Sequence, residues 1–363
     1  MKHILFIAYD AKRAGSGILL LNLTKAIKEI TSYGIDFLFR HDGDILNDFK
    51  EVGKVVCVKY KTSMAGKLLN KLFDPQVSTI KKLLLKQYDW VIVNTVLNAD
   101  VIKQIRRYHK GRLICYIHEL DVAIDFLISS SSRKDFFNLV DVVMVPCLTV
   151  KRKIEEIYQV QASLIKILPY YIPSKNYSLK KSNENRFIIG ACGNVELRKG
   201  TDVFIQLAKY FIEKHPGVPA QFLWIGGNSQ SLDYKLLQAD INKCRLQNIS
   251  LRPVTKEVAL FYAGIDLFVL VSREDPYPLV VLEAADACIP TICFSEAGGA
   301  PEFVQGTGKV INYLDIKQMA EGIYDYYLQP QLRRADGEKA KAKLEVMHQD
   351  KKRIIQQFFD IIT

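Results

Sequence analysis

An alternation running the whole length of the chain constrains its fold most. Short, almost wholly apolar runs rich in β-branched residues are separated by longer stretches of helical periodicity. The apolar runs are His3–Tyr9, Ile35–Phe39, Val55–Val58, Trp90–Asn94, Leu113–Tyr116, Val142–Val145 and Leu164–Leu168. After an interruption they resume as Phe187–Cys192, Gln221–Ile225, Ile249–Leu251, Leu267–Val271, Thr291–Phe294 and Lys309–Ile311. They are apolar throughout rather than alternating, as strands covered on both faces are. Helical patterns such as Ile18–Ile30, Thr201–Lys214 and Leu279–Ala287 lie between them. Strand–helix alternation predicts parallel sheets with right-handed crossovers, an α/β fold. The interruption, Pro169 to Asn185, is polar, holds two prolines and has no apolar period, so it reads as a linker. The expected division is a domain over 1–170, a linker over 171–186 and a second domain over 187–345. A helix over 346–363 is placed to pack back on the first domain. A length of 363 residues fits two doubly wound domains, which bind ligands at the carboxyl ends of their strands.

Composition narrows the function classes. With 49% hydrophobic and 25% charged residues the chain is neither disordered, collagen-like nor a coiled-coil rod. Its longest apolar stretches, such as Ile265–Val271, fall far short of the ~20 residues of a spanning helix, and the amino terminus reads as a first strand, not a signal peptide. Seven cysteines without a CxxC pair fit a reducing cytoplasm rather than a disulfide or zinc framework. The net charge of +11 is uneven: residues 1–175 hold 27 Lys+Arg against 17 Asp+Glu, the remainder 23 against 22. The first half is thus expected to face something anionic. No nucleic-acid module or aromatic–basic interleaving is present, so nucleic acid is not the expected partner. Seven lysines (59, 61, 67, 71, 81, 82, 86) against one acid, Asp74, interleave with Leu68, Leu69, Leu72 and Phe73. That pattern suits an interfacial helix on the inner face of the plasma membrane. It equally suits an amphipathic helix packed on the sheet with a solvated lysine face.

Three segments carry candidate chemistry. Gly15 and Gly17 follow the first strand and open a helix, where backbone can approach an anion. Leu20 stands where a dinucleotide fingerprint needs its third glycine, and Asp36 lies inside the second strand, so a nicotinamide cofactor is not indicated. In Gly193–Gly200, Arg198 and Lys199 precede a helix whose dipole opposes cations; a bound anion would reconcile them, and so would simple solvation. Asp275 and Glu283 are separated by seven residues, with Pro278 at a helix start between them. Glu283 lies among Val280, Val281, Leu282, Ala284 and Ala285, where a carboxylate wants a polar partner. A ribose offers two hydroxyls to one carboxylate, and the amides of Leu279 and Val280 are oriented to meet a diphosphate.

These segments, followed by Ile289–Phe294 and Gly298-Gly-Ala-Pro-Glu302, resemble the retaining nucleotide-sugar glycosyltransferases of family 4. The resemblance is strong over about 187–311 and one of outline before that. It implies the GT-B fold, two Rossmann-like domains facing a central cleft. The family's first signature acid is Glu where this chain has Asp275, and its loop arginine is replaced by Asn194. By resemblance, Glu283 holds the ribose, and Arg198 and Lys199 neutralise the diphosphate with the Gly15–Gly17 loop. Asp275 and the backbone of Tyr277, Pro278, Leu279 and Val280 contact donor sugar and phosphates, Pro253 and Val254 face the base, and His118 meets the sugar. The implied activity moves a sugar from a nucleoside-diphosphate donor to a saccharide or lipid-linked acceptor in cell-surface polysaccharide synthesis. Retention of configuration, no cofactor and no metal go with it. The competing readings are a nonhydrolysing nucleotide-sugar epimerase and an inactive nucleotide-sugar-binding protein.

Overall fold

The computed structural model describes residues 2–60, 74–175, 177, 186–255 and 257–363. The chain forms two compact units: residues 1–172 with 350–363, and residues 173–349.

The first unit holds a seven-stranded parallel sheet. Its strands are β1 His3–Asp10, β2 Gly34–His41, β3 Lys54–Cys57, β4 Trp90–Asn94, β5 Leu113–Tyr116, β6 Val142–Val145 and β7 Ile165–Ile167. Their spatial order is β3-β2-β1-β4-β5-β6-β7, so the sheet grows to one side of β1 and then reverses between β1 and β4. Ile4, Leu5, Phe6 and Ile7 of β1 are fully buried, as the unbroken apolar run requires of a strand covered on both faces. The last helix, Lys351–Ile362, belongs to this unit and buries Ile354, Ile355, Phe358 and Ile362.

The second unit repeats the plan with six parallel strands: β8 Phe187–Cys192, β9 Ala220–Ile225, β10 Ile249–Arg252, β11 Leu267–Leu270, β12 Thr291–Phe294 and β13 Lys309–Ile311. The order β10-β9-β8-β11-β12-β13 reverses between β8 and β11. One core cluster covers a single face of the sheet, through alternate strand residues such as Ile189, Phe222 and Val269, with Phe204, Phe211, Phe222 and Trp224 packed edge to face. Each such side chain contributes about 1.5–3 kcal/mol on burial.

Reversal points of this kind, at the carboxyl ends of two neighbouring strands, are where open α/β sheets hold ligands. Every strand expected from the sequence is present within a few residues of its expected ends. The central lysines of the basic stretch, Lys61, Lys67 and Lys71, with Leu68, Leu69, Leu72 and Phe73, lie outside the described residues. Its described end is helix Pro75–Leu84, which buries Ile80 and Leu84 and leaves Lys81 and Lys82 exposed. Lys86 pairs with the buried Asp36 at 2.8 Å, and the Tyr88 hydroxyl donates to the same carboxylate.

Candidate functional site

In the second unit the loop after β8 and the loop after β11 are stitched together. Leu197–Lys199 form a single 3₁₀ turn, and Gly200 then turns into helix Thr201–Lys214 with φ of +74°. A side chain there would press its Cβ to 2.0 Å from Val271 O, so glycine is required both by conformation and by contact. Arg273 forks onto Asp202 at 2.7 and 2.8 Å and donates its backbone N–H to Arg198 O. That guanidinium holds the Asp202 carboxyl below the usual carboxylate range.

Arg198 and Lys199, expected as anion ligands or as solvated surface cations, each pair with a carboxylate of the protein. Arg198 donates to Glu196 Oε1 at 2.8 Å and to Glu274 O at 3.0 Å. Lys199 Nζ lies 2.5 Å from Asp275 Oδ2, and that carboxylate is only 7% exposed. The two carboxylates, Glu196 and Asp275, offset the cations that stand in front of the helix dipole. Asp275 also donates its backbone N–H to Ala297 O at 2.6 Å and bridges to Gly298. The Gly298–Glu302 motif, at the end of β12, is thus drawn against it. Three neighbouring strand ends, of β8, β11 and β12, converge on Lys199 and Asp275.

Glu283 lies one turn inside helix Leu279–Asp286 and is not an ordinary exposed helix acid. Lys175 Nζ stands 2.7 Å from Oε1, and the Tyr262 hydroxyl donates to Oε2 at 3.2 Å. Pro278 caps the helix start, so Leu279 and Val280 open its first turn. Tyr277 is buried, with its hydroxyl 2.9 Å from His348 Nε2. Pro253 and Val254 follow the edge strand β10; Val254 is exposed and donates its N–H to Gly227 O. One turn past Glu283, the buried Asp286 accepts from Gln349, the Lys175 N–H and Lys341.

The first unit has its own cluster at its reversal point. Gly15 and Gly17, expected to open a helix, stand in the first turn of helix Gly15–Ile30. Asn94, at the end of β4, donates to Ser16 O at 3.5 Å and accepts at 2.8 Å from His118 Nε2 in one tautomer; the other ring nitrogen is 3.0 Å from the Tyr170 hydroxyl. Burial pushes the His118 imidazole down to about 3, so it is neutral at ordinary pH. Burial likewise raises the adjacent Glu119 carboxyl to about 7, although the N–H groups of His118 and Val96 donate to it.

Of the residues singled out from the sequence, Lys199 and Asp275 pair with each other, Glu283 pairs instead with Lys175 and Tyr262, and His118, Gly15 and Gly17 lie at the β1–β4 reversal. Sequence reasoning missed Lys175, Tyr262, Asp286, Asn94, Tyr170 and Glu119. Asp286 carried a signal, a second acid three residues after Glu283 in an apolar helix. The others carried none, because their roles arise only from tertiary contact.

Comparison with known proteins adds three kinds of likeness. The family described as glycosyl transferases group 1 matches residues 176–343. The α-galactosylglucosyldiacylglycerol synthase of Streptococcus pneumoniae is 29% identical over 165 residues, 44% of this chain and 41% of that protein. The D-inositol 3-phosphate glycosyltransferase of Paenarthrobacter aurescens is 26% identical over 186 residues, 49% and 45% of the two chains. The match therefore spans less than half the length of these relatives. Among solved structures, Anabaena HepE in complex with UDP and glucose superposes with a TM-score of 0.82 at 18% identity over 99% of each chain.

Proposed function

We propose that this chain, which has the GT-B fold and carries a group 1 glycosyltransferase domain over residues 176–343, transfers a sugar from a nucleoside-diphosphate donor. The acceptor is a saccharide or lipid-linked saccharide of cell-surface glycan synthesis, and configuration is retained. One observation carries the reading: cations, a buried Asp275 and the helix bearing Glu283 converge at the reversal point of the second sheet. HepE was solved with UDP and glucose, and the pneumococcal relative is named as a glycolipid synthase.

In this reading Glu283 accepts the two ribose hydroxyls. Arg198, on the loop surface, exchanges Glu196 for a phosphate oxygen, and Lys199 shares its ammonium between Asp275 and the diphosphate. Charge grows on the departing diphosphate as the anomeric C–O bond breaks. Groups already fixed around it stabilise that charge more than they stabilise bound donor. The acceptor oxygen then bonds to the same face of the anomeric carbon, and its proton passes to a departing phosphate oxygen. Asp275 and the backbone of Tyr277 to Val280 hold the sugar and phosphates, while Pro253 and Val254 border the base. His118 serves as a neutral hydrogen-bonding group. No resident metal or cofactor enters this scheme.

Two measurements test it. Glu283→Ala should weaken nucleoside-diphosphate binding by roughly tenfold or more, since bonds to a charged acceptor are worth about 1.5–3 kcal/mol; unchanged affinity would remove Glu283 from the site. Turnover with a panel of sugar nucleotides and cell-derived acceptor should proceed equally with and without chelator. Donor binding without any turnover would favour the inactive-binder reading, which rests on Asp275 and Asn194 standing where the resembled family has Glu and Arg.

The excess positive charge of the first half supports a further element, attachment to an anionic membrane that presents the acceptor. Among the described residues no helix is long and apolar enough to cross a membrane. Lysines near anionic lipid contribute about 1 kcal/mol each, so sedimentation with anionic vesicles should fade with salt and with Gln at Lys67, Lys71, Lys81 and Lys82. Protein left in the supernatant at low salt would refute attachment.

A further inference from the structure

Glu283 is held on both oxygens by residues that no sequence motif marks. Lys175 Nζ meets Oε1 at 2.7 Å; the Tyr262 hydroxyl shares its one proton between Oε2 at 3.2 Å and Val280 O at 3.1 Å. A carboxylate has about four lone-pair sites, so this clamp leaves each oxygen a further one for a ligand. The two partners are placed differently: the Lys175 side chain is 48% exposed and is anchored through its backbone, whereas Tyr262 is fixed by burial. The Tyr262 ring is fully buried, and Tyr177 packs edge-on against it with centroids 6.1 Å apart. The Lys175 N–H donates at 2.7 Å to Asp286, which is 1% exposed and is itself fixed by Lys341 and Gln349. One helix turn therefore supports both the acid and the backbone of the lysine that holds it. A free glutamate side chain would spread over many rotamers and lose entropy on each binding event; a clamped one has lost it on folding.

We propose that Lys175 and Tyr262 are positioning residues for Glu283, setting its carboxylate so that one group accepts both hydroxyls of a ribose diol. The proposal rests on the reading of Glu283 as the ribose ligand. Its consequence is that the preference for ribonucleotides over 2′-deoxyribonucleotides depends on the clamp and not on Glu283 alone.

Calorimetric titration of the whole chain with UDP, GDP, ADP and their 2′-deoxy counterparts tests this. The wild type should prefer its best ribonucleotide to the deoxy form by roughly tenfold or more, and Glu283→Ala should lose that preference. Lys175→Met and Tyr262→Phe should each lose most of it, while Lys175→Arg keeps it, with melting temperatures confirming that all variants fold. The proposal is overturned if Lys175→Met and Tyr262→Phe keep the wild-type preference while Glu283→Ala loses it. It is also overturned if both variants weaken ribo and deoxy forms alike, which a merely structural role would produce. Either result leaves the ribose role of Glu283 standing; an unchanged preference in Glu283→Ala refutes that role and the clamp with it.

Discussion

Glu119 and His118 are neighbours at the end of β5, and burial moves their proton affinities in opposite directions. Glu119 rises from 4.5 to about 7, so in that window the folded chain holds a proton the unfolded chain has released. The stability it contributes is full below about pH 4.5 and is lost as pH rises to about 7. His118 falls from 6.5 to about 3, so the unfolded chain holds the extra proton between those values and stability rises with pH. The two slopes oppose each other where the windows overlap. Glu119→Gln should therefore gain stability relative to wild type as pH climbs from about 4.5 to 7 and hold that gain above it. Melting both proteins at half-unit pH steps measures this, and a difference flat from pH 4 to 8 would mean that Glu119 is ionised when folded. Removing the Lys199 charge exposes a second effect: Lys199→Met leaves the Asp275 carboxylate buried without its ammonium. A loss of about 1–3 kcal/mol in urea unfolding is expected, besides any loss of turnover. At this scale the sequence was legible only where spacing carried the signal. Asp275 and Glu283 stand out seven residues apart beside Pro278, whereas Tyr262 looks like one more core aromatic until its hydroxyl is seen on Glu283.

Among the elements, the strands could be read almost residue for residue, because a run covered on both faces has no polar position to confuse its limits. Helix starts were less legible. The helix expected over Ile18–Ile30 begins three residues earlier, with Gly15 and Gly17 in its first turn, although glycine is a poor helix former. Gly17 is needed there because a Cβ would stand 2.4 Å from Lys12 O. Gly200 makes the same point and gives a test. Gly200→Ala would place a side chain at positive φ, at about 1–2 kcal/mol, and drive it into Val271 O. A loss of at least about 2 kcal/mol should appear in urea unfolding; a smaller one would show that the turn relaxes. Asp286 works at this scale too, since it draws both the Ser174–Lys175 segment and Gln349 onto helix Leu279–Asp286. Asp286→Ala removes the acceptor shared by Gln349, the Lys175 N–H and Lys341, leaving Lys341 only Ser174 Oγ at 3.4 Å and Glu345 at 3.9 Å, and should destabilise the second unit by about 3 kcal/mol.

For the whole molecule, the chain visits the first unit twice, at residues 1–172 and again at 350–363. The amphipathic period of residues 351–362 indicates a buried face, but periodicity alone does not name the surface that receives it. The structure supplies that surface within the first unit. The Phe358 ring lies stacked 6.5 Å from Phe6 of β1, Phe359 packs on Tyr33 and Trp90, and Gln357 donates to Ile167 O at 2.8 Å at the far edge of the sheet. Lys351 pairs with Glu29 of the first helix. Residues 350–363 therefore pack into the same core as residues 1–172. Phe358→Ala removes a fully buried ring and should lower stability by about 3–5 kcal/mol. Because the residue belongs to one unit, calorimetry should show the loss in one of two unfolding transitions. A nucleoside diphosphate that binds through Glu283 should raise the other transition, by mass action on the folded second unit. Two transitions that shift together under both perturbations would show instead that the units unfold as one cooperative block, and the assignment of Phe358 to a separable first unit would fall.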